Sequence, residues 1–223
     1  MLLGEARGVR HSHAAFVKAK PCDKEEGVTT KTDDLLEIRW HGRGGQGAKT
    51  AALLLGEAVL ATGKHMQAFP EYGAERMGAP IQAFNRISDH PITLHCHVTE
   101  PEVVVVIDPT LLDAVDVTEG LGDDGTLVVN TPMAPAQVRA KLGLKGRRVY
   151  TVDASGIATD TIKRNIPNTP MLGALAKVSG VLDLESLIED SRKRLEKKFR
   201  AKPEVIDGNL EAMRRGYEEV TGE

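Results

Sequence analysis

Short aliphatic runs and stretches of helical period take turns from Leu35 to Val152, and helical period alone follows. The first run, Leu35–Trp40, reads as a buried strand. His41-Gly42-Arg43-Gly44-Gly45-Gln46-Gly47 comes directly after it. Ala48–Ala61 then sets Ala51, Leu54, Leu55, Ala58 and Val59 at helical spacing, with Gly63 where a helix would stop. Lys64–Phe69 is a short second strand. Pro70–Pro80 holds Gly73 and Gly78 between its prolines and is expected to be an ordered loop at a strand end. Ile81–Ile87 and Ile92–Val98 alternate around Ser88-Asp89-His90-Pro91, the pattern of an antiparallel hairpin. Val103–Ile107 has the composition of a central strand, ends at Asp108-Pro109 and leads into a helical Thr110–Val115. Thr126–Asn130 and Arg148–Val152 supply two more strands, on either side of a helical Ala134–Lys141. Helices are expected over Ser155–Arg164, Asn168–Gly180, Leu182–Phe199 and Val205–Val220.

Strands that alternate with helices predict the α/β class: a Rossmann-like, mostly parallel sheet with helices on both faces, one antiparallel hairpin intrusion and a helical C-terminal region. Residues 35–223 form a single domain in this reading. Residues 1–34 are polar, mixed in charge and without period, an extension whose order is expected to depend on a partner.

Composition sharpens the picture. Hydrophobic residues make up 41% of the chain and aromatics only 4%, so the core must be aliphatic, as suits a parallel sheet buried on both faces. A net charge of -3 gives no electrostatic reason to expect nucleic acid or an anionic membrane as partner. No apolar run has the length of a membrane span, and the expectation is a cytoplasmic protein. The cysteines, Cys22 and Cys96, suit a reducing compartment and are too few to ligate an iron–sulfur cluster.

The clearest candidate for chemistry is Gly42-x-Gly44-x-x-Gly47 between a strand and a helix. Glycines there permit a tight turn and close approach, and free amides at a helix start favour an anion, with Lys49 one turn in. A Walker A loop is excluded, because Ala48 puts Lys49 and Thr50 one residue out of register. A tight NAD site is disfavoured, because His65–Phe69 offers no acidic residue for the ribose. A bound ligand or partner is favoured over mere close packing of helix on strand. Tyr72–Pro80 reads either as a self-bracing loop with Glu75 beside Arg76 or as a surface for an anionic ligand or a subunit. Strand alternation would send His95 and His97 to one face and Cys96 to the other, so no metal site is expected. The basic stripe Arg192–Lys198 reads as a solvated face or a subunit contact. No nucleophile–base arrangement appears, so no catalytic residue is assigned.

Several ordered blocks carry a resemblance. Ile38–Gly47 (IRWHGRGGQG), Phe69–Pro80 (FPEYGAERMGAP), Ala83–Ile92 (AFNRISDHPI), Asp108-Pro109 with Leu111-Leu112, Asn168 with Met171–Ala174, and Lys202-Pro203, Asn209 and Gly216 together resemble the gamma subunit of pyruvate and other 2-oxoacid:ferredoxin oxidoreductases. The likeness runs from about Leu35 to Tyr217. Family members often carry Arg-Gly-Gly where Met77-Gly78-Ala79 stands here. The resemblance implies a hetero-oligomer that oxidatively decarboxylates a 2-oxoacid and passes the acyl group to coenzyme A. Thiamine diphosphate with magnesium and 4Fe-4S clusters would belong to alpha, beta and ferredoxin-like delta subunits. The chain itself would be non-catalytic and help enclose the active-site cleft. Residues carried over are Gly42, Gly44, Gly45, Gln46 and Gly47, with Tyr72, Gly73, Glu75 and Arg76; the helix amides after Gly47, with Arg43 or Lys49, would face coenzyme A or a neighbouring subunit. A free-standing Rossmann-type nucleotide binder and a purely structural assembly subunit are the alternatives. The oxoacid and the final electron acceptor are not legible in the residues.

Overall fold

Four parallel strands form the spine of the computed structural model, which describes residues 34–71, 78–200 and 202–223. These are β1 (Leu36–Arg43), β4 (Val103–Val106), β5 (Thr126–Asn130) and β6 (Arg148–Val152). Antiparallel strands extend the sheet on both sides. β3 (Pro80–Ser88) pairs with β1, and β2 (His65–Glu71) pairs with β3. At the other edge β7 (Thr221–Gly222) pairs with β6, giving the order β2-β3-β1-β4-β5-β6-β7. Six helices complete the fold: α1 (Ala48–Leu60), α2 (Pro135–Leu142), α3 (Ala154–Ile162), α4 (Asn168–Ser179), α5 (Leu184–Lys198) and α6 (Pro203–Glu219). Among the described residues no helix is long and apolar enough to cross a membrane.

The run of valines in β4 shows why this is a layered sheet. All four are buried; Val103 and Val105 join the core under α1 and α3 to α6, while Val104 and Val106 join a second core with Leu111, Leu112 and Val138 of α2. Helices therefore cover both faces, as expected, but most of them crowd one. β1 is different. Its Ile38 and Trp40 enter the larger core, whereas Glu37, Arg39 and His41 are buried on the opposite face. Arg86 of β3 meets Glu37 there at 2.7 Å, and its guanidinium also reaches Gln67 at 3.3 Å and the Phe69 ring. Arg39 donates to His41 Nε2 at 3.0 Å and to the carbonyls of Val117 and Glu119. These pairings let charged side chains tolerate burial.

Two expectations are corrected. The antiparallel hairpin is β2 with β3, not Ile81–Ile87 with Ile92–Val98. Both edges of β3 are already taken, by β1 and β2, and Pro91 removes a ladder donor, so 92–98 runs as irregular chain. Gln67 Nε2 holds it through the carbonyls of Ile92 and Leu94. The helical Thr110–Val115 is a short 3₁₀ turn, Pro109–Leu112, capped by Asp108. In addition β1 runs on through Arg43, so the glycine sequence begins inside the strand.

Two contacts fix the helices. Asn85 accepts from Trp40 Nε1 and donates to the Ala52 carbonyl, both at 2.8 Å, clamping α1 to the sheet. α4 and α6 touch backbone to backbone: a Cβ on Gly216 would lie 2.0 Å from the Pro170 carbonyl oxygen, and one on Gly173 2.0 Å from that of Met213.

Gly216→Ala is expected to destabilise the fold by about 1–3 kcal/mol, as overpacking does, in chemical denaturation; an unchanged midpoint would refute the backbone contact. Burial first, and the Arg39 charge second, lower the His41 pKa from 6.5 to about 3. The unfolded chain then takes up a proton near pH 6.5 that the folded chain refuses. His41 therefore contributes stability that is complete above pH 6.5 and drains away as pH falls towards 3, up to about 5 kcal/mol in the limit. Denaturant titrations from pH 8 to 4 should show a steeper decline for the wild type than for His41→Gln, and equal slopes would disprove it.

Candidate functional site

β1 and β4 lie side by side, and the chain leaves them towards opposite faces, β1 into α1 and β4 into the 3₁₀ turn. In open α/β sheets the crevice at such a divergence is the usual ligand position. Residues 42–47 occupy one lip and Asp108–Thr110 the other.

The turn is built by its own polar groups. Arg43 donates its amide to Gln46 Oε1 at 2.8 Å, Gln46 N returns to the Arg43 carbonyl at 3.1 Å, and Gln46 Nε2 donates to Asp108 Oδ2. The Arg43 guanidinium spans the crevice: Nε and Nη2 reach Thr110 Oγ1 at 3.1 and 3.0 Å, Nη1 reaches the Gly78 carbonyl at 2.9 Å, and Nε lies 3.4 Å from Asp108 Oδ2. Asp108 Oδ1 accepts from Thr110 N and Oγ1 at 2.9 and 2.7 Å. Burial opposes the Asp108 charge, but the bonds from Thr110 and Gln46 and the nearby Arg43 outweigh it and lower its pKa. A carboxylate is therefore fixed in the crevice itself, unfavourable for a phosphate placed directly between the strands.

Gly47 ends the turn at φ 88° and serves as the N-cap of α1, a left-handed conformation that a Cβ would strain. No side chain caps the helix, so the amides that open it lack intrahelical acceptors. Buried Asn168, the first residue of α4, crowds the same point. Its Nδ2 would lie 2.9 Å from a Cβ on Gly47. The result is an open, dipole-positive helix end beside a braced loop.

Of the predicted residues, Gly42, Arg43, Gly44, Gly45, Gln46 and Gly47 come together here, with Gly42 in β1 and Gly45 at φ 99°. Tyr72, Gly73, Glu75 and Arg76 lie outside the described residues. Asp108, Thr110 and Asn168 also belong to the site by their contacts, without being part of the glycine pattern. The Asp-Pro ending of a strand was visible, but that this strand neighbours β1 was not. Cys96, His95 and His97 are on irregular chain; Cys96 accepts from Arg86 at 3.7 Å and His97 lies 3.5 Å from Glu71. Among the described residues no group of three or more His, Cys, Asp or Glu side chains is placed to hold a metal.

A dinucleotide across the crevice fits poorly. The strand after α1 is β2, and β3 stands between it and β1. The usual acidic contact to a ribose therefore has no strand end beside β1 to come from.

The family model described as pyruvate ferredoxin/flavodoxin oxidoreductase matches residues 37–219. The chain is 56% identical over 186 residues to the pyruvate synthase subunit PorC of Thermotoga maritima, covering 82% of this chain and 94% of that one. It is 45% identical over 186 residues to the pyruvate/ketoisovalerate oxidoreductases common subunit gamma of Pyrococcus furiosus, covering 83% and 97%. The crystal structure of pyruvate oxidoreductase subunit PORC from Thermotoga maritima superposes with a TM-score of 0.74 at 54% identity, over 85% of this chain and 98% of that one.

Asp108→Ala should leave Gln46, Thr110 and Arg43 without their shared acceptor, costing about 1–3 kcal/mol in denaturation. It should also speed amide exchange across residues 43–47. Protected amides in that variant would show that the bracing is dispensable.

Proposed function

We propose, for a chain that belongs to the pyruvate ferredoxin/flavodoxin oxidoreductase family and is the gamma subunit of a 2-oxoacid:ferredoxin oxidoreductase, that the open end of α1 receives a phosphate of coenzyme A. The observation that carries this reading is the uncapped helix start behind a left-handed Gly47, held by the Arg43–Gln46–Asp108 bonds. Backbone amides and the helix dipole converge on an anion there without needing a dedicated cation. The Asp108 charge keeps the anion out of the strand crevice and on the helix. Tyr72, Gly73, Glu75 and Arg76 lie outside the described residues and join this reading only through the resemblance that singled them out.

The decarboxylating chemistry is supplied by thiamine diphosphate with magnesium, and electron transfer by 4Fe-4S clusters, in alpha, beta and ferredoxin-like delta subunits of a cytoplasmic hetero-oligomer. This chain's cysteine content fits that division, since Cys22 and Cys96 cannot ligate such a cluster between them. Its own residues perform no bond-breaking step. They orient the thiol-bearing substrate and exclude water at one wall of the cleft.

Thr50→Asp tests the assignment on an exposed first-turn position, where a carboxylate competes for the same amides. Calorimetry of the assembled enzyme should show coenzyme A binding weakened about tenfold, equivalent to about 1.4 kcal/mol, with the KM for the oxoacid unmoved. Unaltered coenzyme A affinity in an intact complex would reject the site.

A further inference from the structure

Two helices start at one point. A Cβ built on Gly47, the N-cap of α1, would lie 3.2 Å from Cβ, 3.0 Å from Cγ and 2.9 Å from Nδ2 of Asn168, the first residue of α4. Neither start carries a side-chain cap, since Gly47 has no side chain to offer and Pro167 precedes α4. In α4 the first amide to find a helical acceptor is that of Met171, on the Pro167 carbonyl at 3.1 Å, and Pro170 has no N–H. The amides of Asn168 and Thr169 are thus left over, beside those that open α1. Each helix start carries about half a positive charge, so their contact is one that an anion between them relieves.

Asn168 itself is the second observation. It is only 7% exposed, yet among the described residues its carboxamide has no hydrogen-bond partner. Nor is the group sealed in the core: among the described residues only Ser191 Oγ is both fully enclosed and unpaired, so the Asn168 amide still faces open space. A buried amide without a partner is costly unless something else meets it. Its position is held from behind. Thr169 Oγ1 donates to Asn209 Oδ1 at 3.0 Å, and Asn209 Nδ2 donates to the Val205 carbonyl at 2.7 Å, which ties the start of α4 to α6. The Thr169 hydroxyl is thereby turned to Asn209 and leaves the free amides of α4 uncapped.

Resting on the reading that α1 receives a phosphate of coenzyme A, we propose that Asn168 is a binding residue of that site. Its NH2 group donates to the phosphate, with the main-chain amides of Asn168 and Thr169 beside it, so that one phosphate group is held between two helix starts.

Calorimetry of the assembled enzyme separates this residue from the α1 reading itself. Asn168→Ala keeps every main-chain amide and loses only the side-chain donor, so coenzyme A affinity should fall about tenfold, the usual loss for a hydrogen bond to a charged group. Asn168→Asp has nearly the same shape and should lower affinity about a hundredfold, because its carboxylate repels the phosphate and takes its amides. The same carboxylate supplies the anion that the helix starts lack, so in phosphate-free buffer the Asp variant of the full-length chain should unfold at a higher denaturant concentration than the wild type. A residue that only packs against Gly47 would not move affinity and stability in opposite directions. Dephospho-coenzyme A identifies the group: if the wild type and Asn168→Ala bind it equally, the 3′-phosphate is held, and if the tenfold gap persists, the diphosphate is. Weakened binding in Thr50→Asp with unaltered affinity in both Asn168 variants would overturn the proposal and leave the α1 site standing. An Asn168→Asp chain that unfolds more readily than the wild type would also overturn it, and unaltered affinity in Thr50→Asp would remove both readings together.

Discussion

β1 must satisfy two incompatible surroundings at once, and the arrangement of the whole sheet follows from that. Its alternate residues enter an aliphatic core on one side and a buried charged layer on the other. The charged layer is tolerable only because β3 delivers Arg86 to Glu37 and the segment beyond β4 delivers carbonyls to Arg39. Removing one member of such a pair strands the other without solvent, a larger cost than the pair's net worth. The antiparallel placement of β3 is thus more than an appendage to a parallel sheet. It brings the residues that neutralise the polar side of β1, and β1 in turn presents the glycine turn at its end.

Much of this was legible in the chain itself. Alternation and aliphatic runs give the type of the six longer strands, and helical period gives all six helices, α3 included. What misled was pairing. Residues 92–98 alternate well enough to be a strand, and proximity in sequence made them the natural partner of 81–87. The decision was taken by competition, because β2 offers β3 a full-length ladder without a proline at its start. β7 is too short to leave a pattern. The site divides in the same way: the glycines announce a turn by their spacing, whereas Asp108, Thr110 and Asn168 belong to it only because β4 and α4 end beside β1, a fact of topology with no local signature.

The loop also separates two properties that often travel together. Its internal bonds consume the polar side chains of Arg43, Gln46 and Asp108, so these set the geometry of the turn and are poorly placed to meet a ligand. The start of α1, by contrast, has no side-chain cap. An anion bound there, as proposed above, would be met by main-chain groups, whose chemistry does not depend on side-chain identity.

The far edge of the sheet is closed by only Thr221 and Gly222, laid on Tyr150 and Thr151 and tied down where Glu223 meets Arg139. Unsealed strand margins recruit other chains. An affinity handle fused directly after Glu223, or a trim of its last few residues, therefore bears on solubility as much as on purification, and a handle intended for this polypeptide is better separated from that margin by a flexible spacer.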